Sequence, residues 1–270
     1  MNYTLTKHHA LGNDFLVFDL AQGEPQIAWQ QLAQRWCDRR FGVGADGLLL
    51  LDRQFSPSLG MTLYNADGST AEMSGNGIRC LVQAAHIADG RVGEITYEVN
   101  TDAGVRYVSV LVADNPLLII EASVEMGEVT ELSEPNDWHL LECNPDRPVR
   151  HLSLGNPHSV VGVEDVVAVP LQDLGAKVPH INLEIIEVGP ETDAITMRVH
   201  ERGVGITLAC GTGACAAAEA ALAWGLVPAN AEEVTVHMDG GDARVRIDQF
   251  SRAATLIGPA EYIATVVVTA

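Results

Sequence analysis

The sequence predicts an α+β protein of two pseudo-symmetric domains, each a bent, mostly antiparallel sheet wrapped around a central helix. Strand-like runs rich in Val, Ile, Thr and Tyr far outnumber helical ones. Two glycine-rich segments, "AEMSGNGIRCLVQAAHIADG" at residues 71–90 and "TLACGTGACAAAEAALAWG" at 207–225, each run into an apolar helix. The chain around those two segments is written twice in the same order.

Taken in chain order, His8 and His9 come first and would point to opposite faces of a strand. A helix is read over residues 27–38, "IAWQQLAQRWCD", followed by strands in "GLLLLD" and "MTLYNA". The next helix begins near Ile78 and stops at Gly90, and "EITYEV", "VRYVSVLV" and "LLIIEAS" are strands. Residues 122–138, "ASVEMGEVTELSEPNDW", have the Glu, Ser and Pro content of a crossover. Strands "INLEIIEV" and "AITMRVH" precede a last helix from near Ala214 to Gly225, and "EVTVHM" and "ARVRI" follow it. The expected domains are residues 1–122 and 123–260, with 261–270 returning as a final strand to the first.

The repeat is gapless where it matters most. "YNADGSTAEMSGNG" against "HERGVGITLACGTG" sets Asn65 opposite Glu201, Ser74 opposite Cys210, and Gly75 and Gly77 opposite Gly211 and Gly213. Upstream, "LGNDF" at 11–15 answers "LGNPH" at 154–158, so Phe15 stands opposite His158; downstream, "EITYEVNTDAGVRYVSV" answers "EVTVHMDGGDARVRI". Two units are too few for a solenoid, which leaves two similar domains with the site expected in the cleft between them.

Composition narrows the function. A net charge of −20 disfavours nucleic acid and anionic membrane as partners. There is no apolar run of the roughly 20 residues a bilayer span needs, and the start "MNYTLTKHHALGNDF" lacks signal-peptide features, so a cytoplasmic protein is expected. The cysteines, Cys37, Cys80, Cys143, Cys210 and Cys215, are odd in number and lack paired spacing, against both a disulfide framework and a zinc ribbon. The nine histidines form no HExxH, and no metal is expected. A small-molecule substrate remains; if anionic, it needs a locally positive pocket.

The repeated device has a physical use. A helix start leaves backbone N–H groups unpaired and carries partial positive charge, so two of them facing each other form a carboxylate cradle. The same field is expected to lower the pKa of a thiol at Cys210, making it a base or nucleophile. Alone, a buried cysteine is more often a small apolar filler. Paired groups at two facing helix starts suit removal of a proton from one face of a carbon and its return to the other, which describes racemisation.

These motifs resemble those of the diaminopimelate epimerases. The likeness runs through "HALGNDFLVFD", "RRFGVGADGLLLL", "NADGSTAEMSGNGIRC", "LGNPHSVV", "INLEIIEV", "ERGVGITLACGTGACAA" and "GPAE", in that order and over nearly the whole chain. It implies conversion of L,L-diaminopimelate to the meso form in lysine and peptidoglycan synthesis, by a homodimer using two active-site cysteines and no cofactor, neither pyridoxal phosphate nor metal. One cysteine maps onto Cys210 and the other onto Ser74. Gly75 and Asn76 with Gly211 and Thr212 would hold the reacting carboxylate, and Glu201 with the Arg202 carbonyl would hold the ammonium group. Asn13, Asn65, Asn156, Asn182 and Arg202 would read the distal carboxylate and amine. His158 would assist proton traffic, though a histidine after proline serves equally as a satisfied hydrogen-bonding residue.

Three departures stand out. The family often has glutamate where Ile206 stands and a polar residue or glycine where Gly47 stands; both read as tolerated variation. Ser74 matters more, because no helix start makes a hydroxyl an alkoxide near neutral pH. It is an introduced replacement, a natural variant that epimerises slowly or with help from His158, or the mark of another reaction such as elimination. The complete distal set favours the first two. The alternatives are a related racemase or isomerase and a non-catalytic diaminopimelate-binding homologue.

Overall fold

The computed structural model describes residues 1–115 and 118–269. It divides into two compact units, residues 1–124 with 258–270 and residues 125–257. Unit 1 carries β1 (Asn2–Ala10), β2 (Asn13–Asp19), α1 (Trp29–Cys37), β3 (Gly47–Phe55), β4 (Ser58–Asn65), β5 (Thr70–Ala71), α2 (Gly75–Ala88), β6 (Ile95–Thr101), β7 (Gly104–Asn115) and most of β8 (Ile119–Glu128). Unit 2 carries β9 (Thr130–Glu131), β10 (Val149–Ser153), β11 (Pro157–Gly162), α3 (Leu171–Gly175), β12 (Asn182–Val188), β13 (Ala194–Glu201), β14 (Gly205–Thr207), α4 (Gly211–Trp224), β15 (Val234–Met238) and β16 (Gly241–Ile247). The last strand, β17 (Ala253–Thr269), begins in unit 2 and ends in unit 1.

Each unit repeats one pairing pattern. In unit 1, β1–β2 is antiparallel, β2–β3 parallel, β3–β4 antiparallel, β4–β6 parallel and β6–β7 antiparallel. In unit 2, β10–β11, β11–β12, β12–β13, β13–β15 and β15–β16 follow with the same alternation. The sheet of unit 1 curls round α2, whose residues Gly75–His86 are all buried. In unit 2, α4 is buried from Ala214 to Ala221. A helix apolar on every side is stable only when walled in on every side.

Strands β2 and β12 are buried on both faces, because a second layer covers the side away from the central helix. In unit 1 that layer is α1, whose Leu32, Ala33, Trp36 and Cys37 meet Leu16, Phe18, Leu48 and Leu50. Phe18 stacks on Trp36 with centroids 6.2 Å apart. In unit 2 it is Trp138, Val166, Leu171 and Val178, set against Leu183 and Ile185. Continuous apolar runs such as "GLLLLD" follow from this double coverage.

Polar interruptions fall at matching places in the central helices. Gln83 of α2 accepts from the buried His8 ring, with Oε1 2.8 Å from Nδ1. Glu219 of α4, in step with Gln83 in the repeat, is paired with Arg252 at 2.8 Å and Arg150 at 3.4 Å.

The structure departs from the sequence reading in three places. Both central helices begin earlier than Ile78 and Ala214, at Gly75 and Gly211, because the side chains of Ser74 and Cys210 cap them. The expected crossover at 122–138 opens as strand: β8 continues to Glu128 with Ile120, Ala122, Val124 and Met126 buried in alternation. The short α3 and the 3₁₀ turns Leu20–Gln22 and Trp138–Leu141 carried no sequence signal. Leu117, at the head of "LLIIEAS", and Ala270 lie outside the described residues. Among the described residues, no helix is long and apolar enough to cross a membrane, and no group of three or more His, Cys, Asp or Glu side chains is placed to hold a metal.

His8 gives unit 1 a pH dependence. Burial pushes its pKa from 6.5 down to about 4, against the Gln83 hydrogen bond and with the neighbouring His9 charge adding to the fall. The unfolded chain then binds more protons between those values, so stability is present above about 6.5 and is lost as pH falls toward 4. The shift corresponds to about 3 kcal/mol. Urea unfolding at both ends of that window is expected to show His8→Gln losing correspondingly less stability on acidification than the unaltered protein.

Candidate active site

Ser74 reaches the start of α2 from β5 with extended backbone, φ −137° and ψ 125°, and its Oγ accepts from the Gly77 N–H at 3.1 Å. Its carbonyl accepts the first intrahelical bond, from the Ile78 N–H at 2.9 Å. Asn76 is buried in the first turn; its Nδ2 donates to Asn13 Oδ1 at 3.3 Å, and its Oδ1 accepts from Arg79 at 2.8 Å. Asn13 in turn donates to Asp46 at 2.7 Å, and Asp46 is held by Arg39 at 2.6 Å. Asn65 sits at the end of β4 and caps its own turn, with its side chain on Ser69 Oγ at 3.0 Å and its carbonyl accepting from Gly68. A Cβ on Gly77 would lie 3.4 Å from Phe15 Cζ and 3.2 Å from Ser74 Cβ, so this helix start is backed by an aromatic ring.

Cys210 opens α4 in the same way. Its backbone is extended, φ −127° and ψ 113°, and Sγ accepts from the Gly213 N–H at 3.4 Å. Thr212 Oγ1 lies 3.5 Å from Sγ and accepts from Asn156 Nδ2 at 3.2 Å. Asn156 Oδ1 is 3.0 Å from His158 Nε2, and His158 Nδ1 is 2.6 Å from Glu184 Oε1. Asn182 pairs with His158 across β11–β12, donates to the Pro157 carbonyl at 3.1 Å and accepts the Arg202 N–H at 2.9 Å. Its amide thus fixes the backbone after Glu201, while the Arg202 side chain stays exposed.

Electrostatics around the sulfur run against the expected lowering. Burial, then the Glu201 and Glu184 charges, hold the Cys210 thiol well above its ordinary range, opposed by hydrogen bonds from Thr212 and Gly213. The helix-start donors are present, but two carboxylates and the loss of water outweigh them. Glu201 is itself pushed up by burial, while hydrogen bonds from Thr207 and Cys210 pull it down. In the free protein these effects together favour the neutral thiol at position 210.

The residues singled out from sequence fall into two sets. Unit 1 gathers Asn13, Gly75 and Asn76 at the α2 start with Ser74; unit 2 gathers Asn156, His158, Thr212, Gly211 and Glu201 around Cys210. Sequence reading missed Glu184 and Asp46. The signal for Glu184 was available in the sequence, a carboxylate between Leu183 and Ile185 inside the apolar run "INLEIIEV", and the structure buries Asn182–Ile186 throughout.

The diaminopimelate epimerase family model matches residues 5–132 and 151–263. A diaminopimelate epimerase of Thermosynechococcus vestitus is 39% identical over 284 residues, covering 96% of this chain and 97% of that protein. One from Microcystis aeruginosa is 36% identical, covering 97% and 98%. Among solved structures, a phenazine biosynthesis protein of the PhzF family from Bacillus anthracis shares the fold, with a TM-score of 0.74 at 14% identity over all of both chains. Near-complete relatives above 30% identity and a family match on both sides of the repeat, with Ser74 and Cys210 at its two helix starts, place this chain in the diaminopimelate epimerase family.

Proposed function

We propose that the protein epimerises L,L-diaminopimelate to meso-diaminopimelate, serving lysine and peptidoglycan synthesis, by passing the α-proton between two side chains without pyridoxal phosphate or metal. The observation that carries this reading is the shared local geometry of Ser74 and Cys210: each is an extended N-cap accepting the N–H three residues on, at the start of a buried helix. One group takes the proton from one face of the carbon and the other returns it to the opposite face. The first-turn amides, with Gly75 and Asn76 in unit 1 and Gly211 and Thr212 in unit 2, hold the carboxylate. Glu201 takes the ammonium, and Asn13, Asn65, Asn156, Asn182 and Arg202 read the distal end.

Substrate charge then tunes the sulfur. An ammonium on Glu201 cancels one of the carboxylate charges that keep Cys210 protonated, so binding itself favours the thiolate. A pyridoxal route needs a lysine aldimine. The chain has two lysines, Lys7 paired with Asp14 at 2.9 Å and Lys177 on the Leu140 carbonyl at 3.2 Å. The same reading makes the protein a cytoplasmic homodimer.

The test is incubation with L,L-diaminopimelate in heavy water. Deuterium at the α-carbon and appearance of the meso form support the reading; neither, in this protein or in Ser74→Cys, sinks it. Saturable binding without turnover in both forms would identify a non-catalytic homologue instead. Gly213→Ala is a further check, because its Cβ would lie 2.7 Å from Glu184 Oε1 and 3.3 Å from Cys210 Sγ. Displacing reacting groups on that scale is expected to lower kcat by about a hundredfold, with little change in KM.

A further inference from the structure

Glu184 has no part in the roles assigned so far. It is fully buried in β12, with Oε1 2.6 Å from His158 Nδ1 and, among the described residues, no hydrogen-bond donor on Oε2. Burying a half-satisfied carboxylate is costly, and the fold does not require it. In unit 1 the matching position is Leu49: Phe15 pairs with Gly47 as His158 pairs with Asn182, and Leu49 and Glu184 each lie two residues further on. Leu49 is also fully buried. Unit 1 thus sets Phe15 and Leu49 where unit 2 sets His158 and Glu184.

From Glu184 an unbroken line of hydrogen bonds leads to the sulfur, and each link fixes the next. A neutral imidazole carries only one ring hydrogen; with both ring nitrogens protonated beside the Glu184 carboxylate, His158 donates Nδ1–H to Glu184 and Nε2–H to Asn156 Oδ1 at 3.0 Å. That sets the Asn156 amide so that Nδ2 donates to Thr212 Oγ1 at 3.2 Å. The Thr212 hydroxyl hydrogen is then free for Cys210 Sγ at 3.5 Å.

We propose that Glu184 is a positioning residue for Cys210: by anchoring His158 it orients Asn156 and Thr212 so that the Thr212 hydroxyl donates to Sγ when the thiol gives up its proton. A hydrogen bond made to the charged form favours that form, so the line works against the burial that keeps the thiol neutral. Calling Cys210 a proton-transfer group rests on the function proposed above; the hydrogen-bonded line does not.

The test compares Glu184→Gln with Glu184→Leu, each alone and combined with Thr212→Val. Both remove the charge; glutamine keeps an amide N–H that can donate to His158 Nδ1, so that a neutral ring still carries Nε2–H for Asn156, and leucine is the residue unit 1 already carries at this place. The readout is the pH dependence of iodoacetamide alkylation at Cys210, followed by peptide mass spectrometry without substrate. Glu184→Leu is expected to react about tenfold more slowly than Glu184→Gln near neutral pH, the scale of one hydrogen bond to a charged group. The difference should vanish in the Thr212→Val background. Equal rates, or a difference that survives Thr212→Val, overturn the proposal.

Should Glu184→Leu fail to fold, the His158 Nδ1–H proton resonance serves in its place. It is expected far downfield in the unaltered protein and to be lost in Glu184→Gln; the same downfield resonance in both overturns the first link. Epimerisation absent while the alkylation pattern holds counts against the proposed function and leaves the role of Glu184 standing.

Discussion

Ser74→Cys is expected to raise epimerisation of L,L-diaminopimelate by about 10²- to 10⁴-fold, the usual contribution of a positioned acid or base. The hydroxyl sits where a proton-transfer group is needed, yet it is too weak an acid to ionise near neutrality. Its surroundings suit a sulfur: Oγ already takes the Gly77 N–H, as Sγ takes that of Gly213, and the neighbouring Phe15 ring is apolar. The gain should appear in kcat, with KM nearly constant, because the side chain reacts with the substrate without holding it. Deuterium incorporation at the α-carbon measures it directly. A folded Ser74→Cys protein that binds diaminopimelate and gains nothing would show that position 74 is not a reacting group.

Cys210→Ala in the Ser74→Cys background should remove that activity almost wholly, by about 10³-fold or more, in both directions of the reaction. Cys210 is 5% exposed and small, so its truncation leaves little cavity, and the melting temperature should change little. The exchange of serine and cysteine between the two helix starts is more telling. Cys210→Ser combined with Ser74→Cys keeps one thiol and one hydroxyl, but moves the thiol to the helix start backed by Phe15. That protein is expected to be slower than the unaltered one. Activity equal to that of the unaltered protein would mean that the polar groups behind Cys210 contribute nothing.

Much of the architecture was legible because it is repeated. The alignment of Ser74 with Cys210, and of the glycines after them, follows from two halves solving one local problem, an N-cap and close backbone approach at the mouth of a buried helix. Apolar runs marked β3, β6, β12 and β13 because double coverage or strict alternation leaves a strong pattern. Less visible were β10 and β11, where Arg150, His151, Pro157 and His158 break the pattern for reasons of hydrogen bonding. The strand read in "LLIIEAS" is the start of β8, and alternation carries on into "SVEM", but the Glu and Ser content concealed that second half.

The site was legible in its residues and illegible in its charge state. A helix start beside a cysteine argues for an acidic thiol, yet burial first, then the charges of Glu201 and of Glu184, the latter from a strand more distant in sequence, reverse the sign. Asn65 shows the opposite case, since its place in "NADG" already pointed to a turn, and its side chain indeed holds Ser69.

Because β17 ends in unit 1 while residues 125–257 make up unit 2, the chain leaves one fold unfinished while it writes another. During synthesis on the ribosome, β1 has only β2 beside it until residues 261–269 emerge to take its other edge. The half made first is therefore the half completed last.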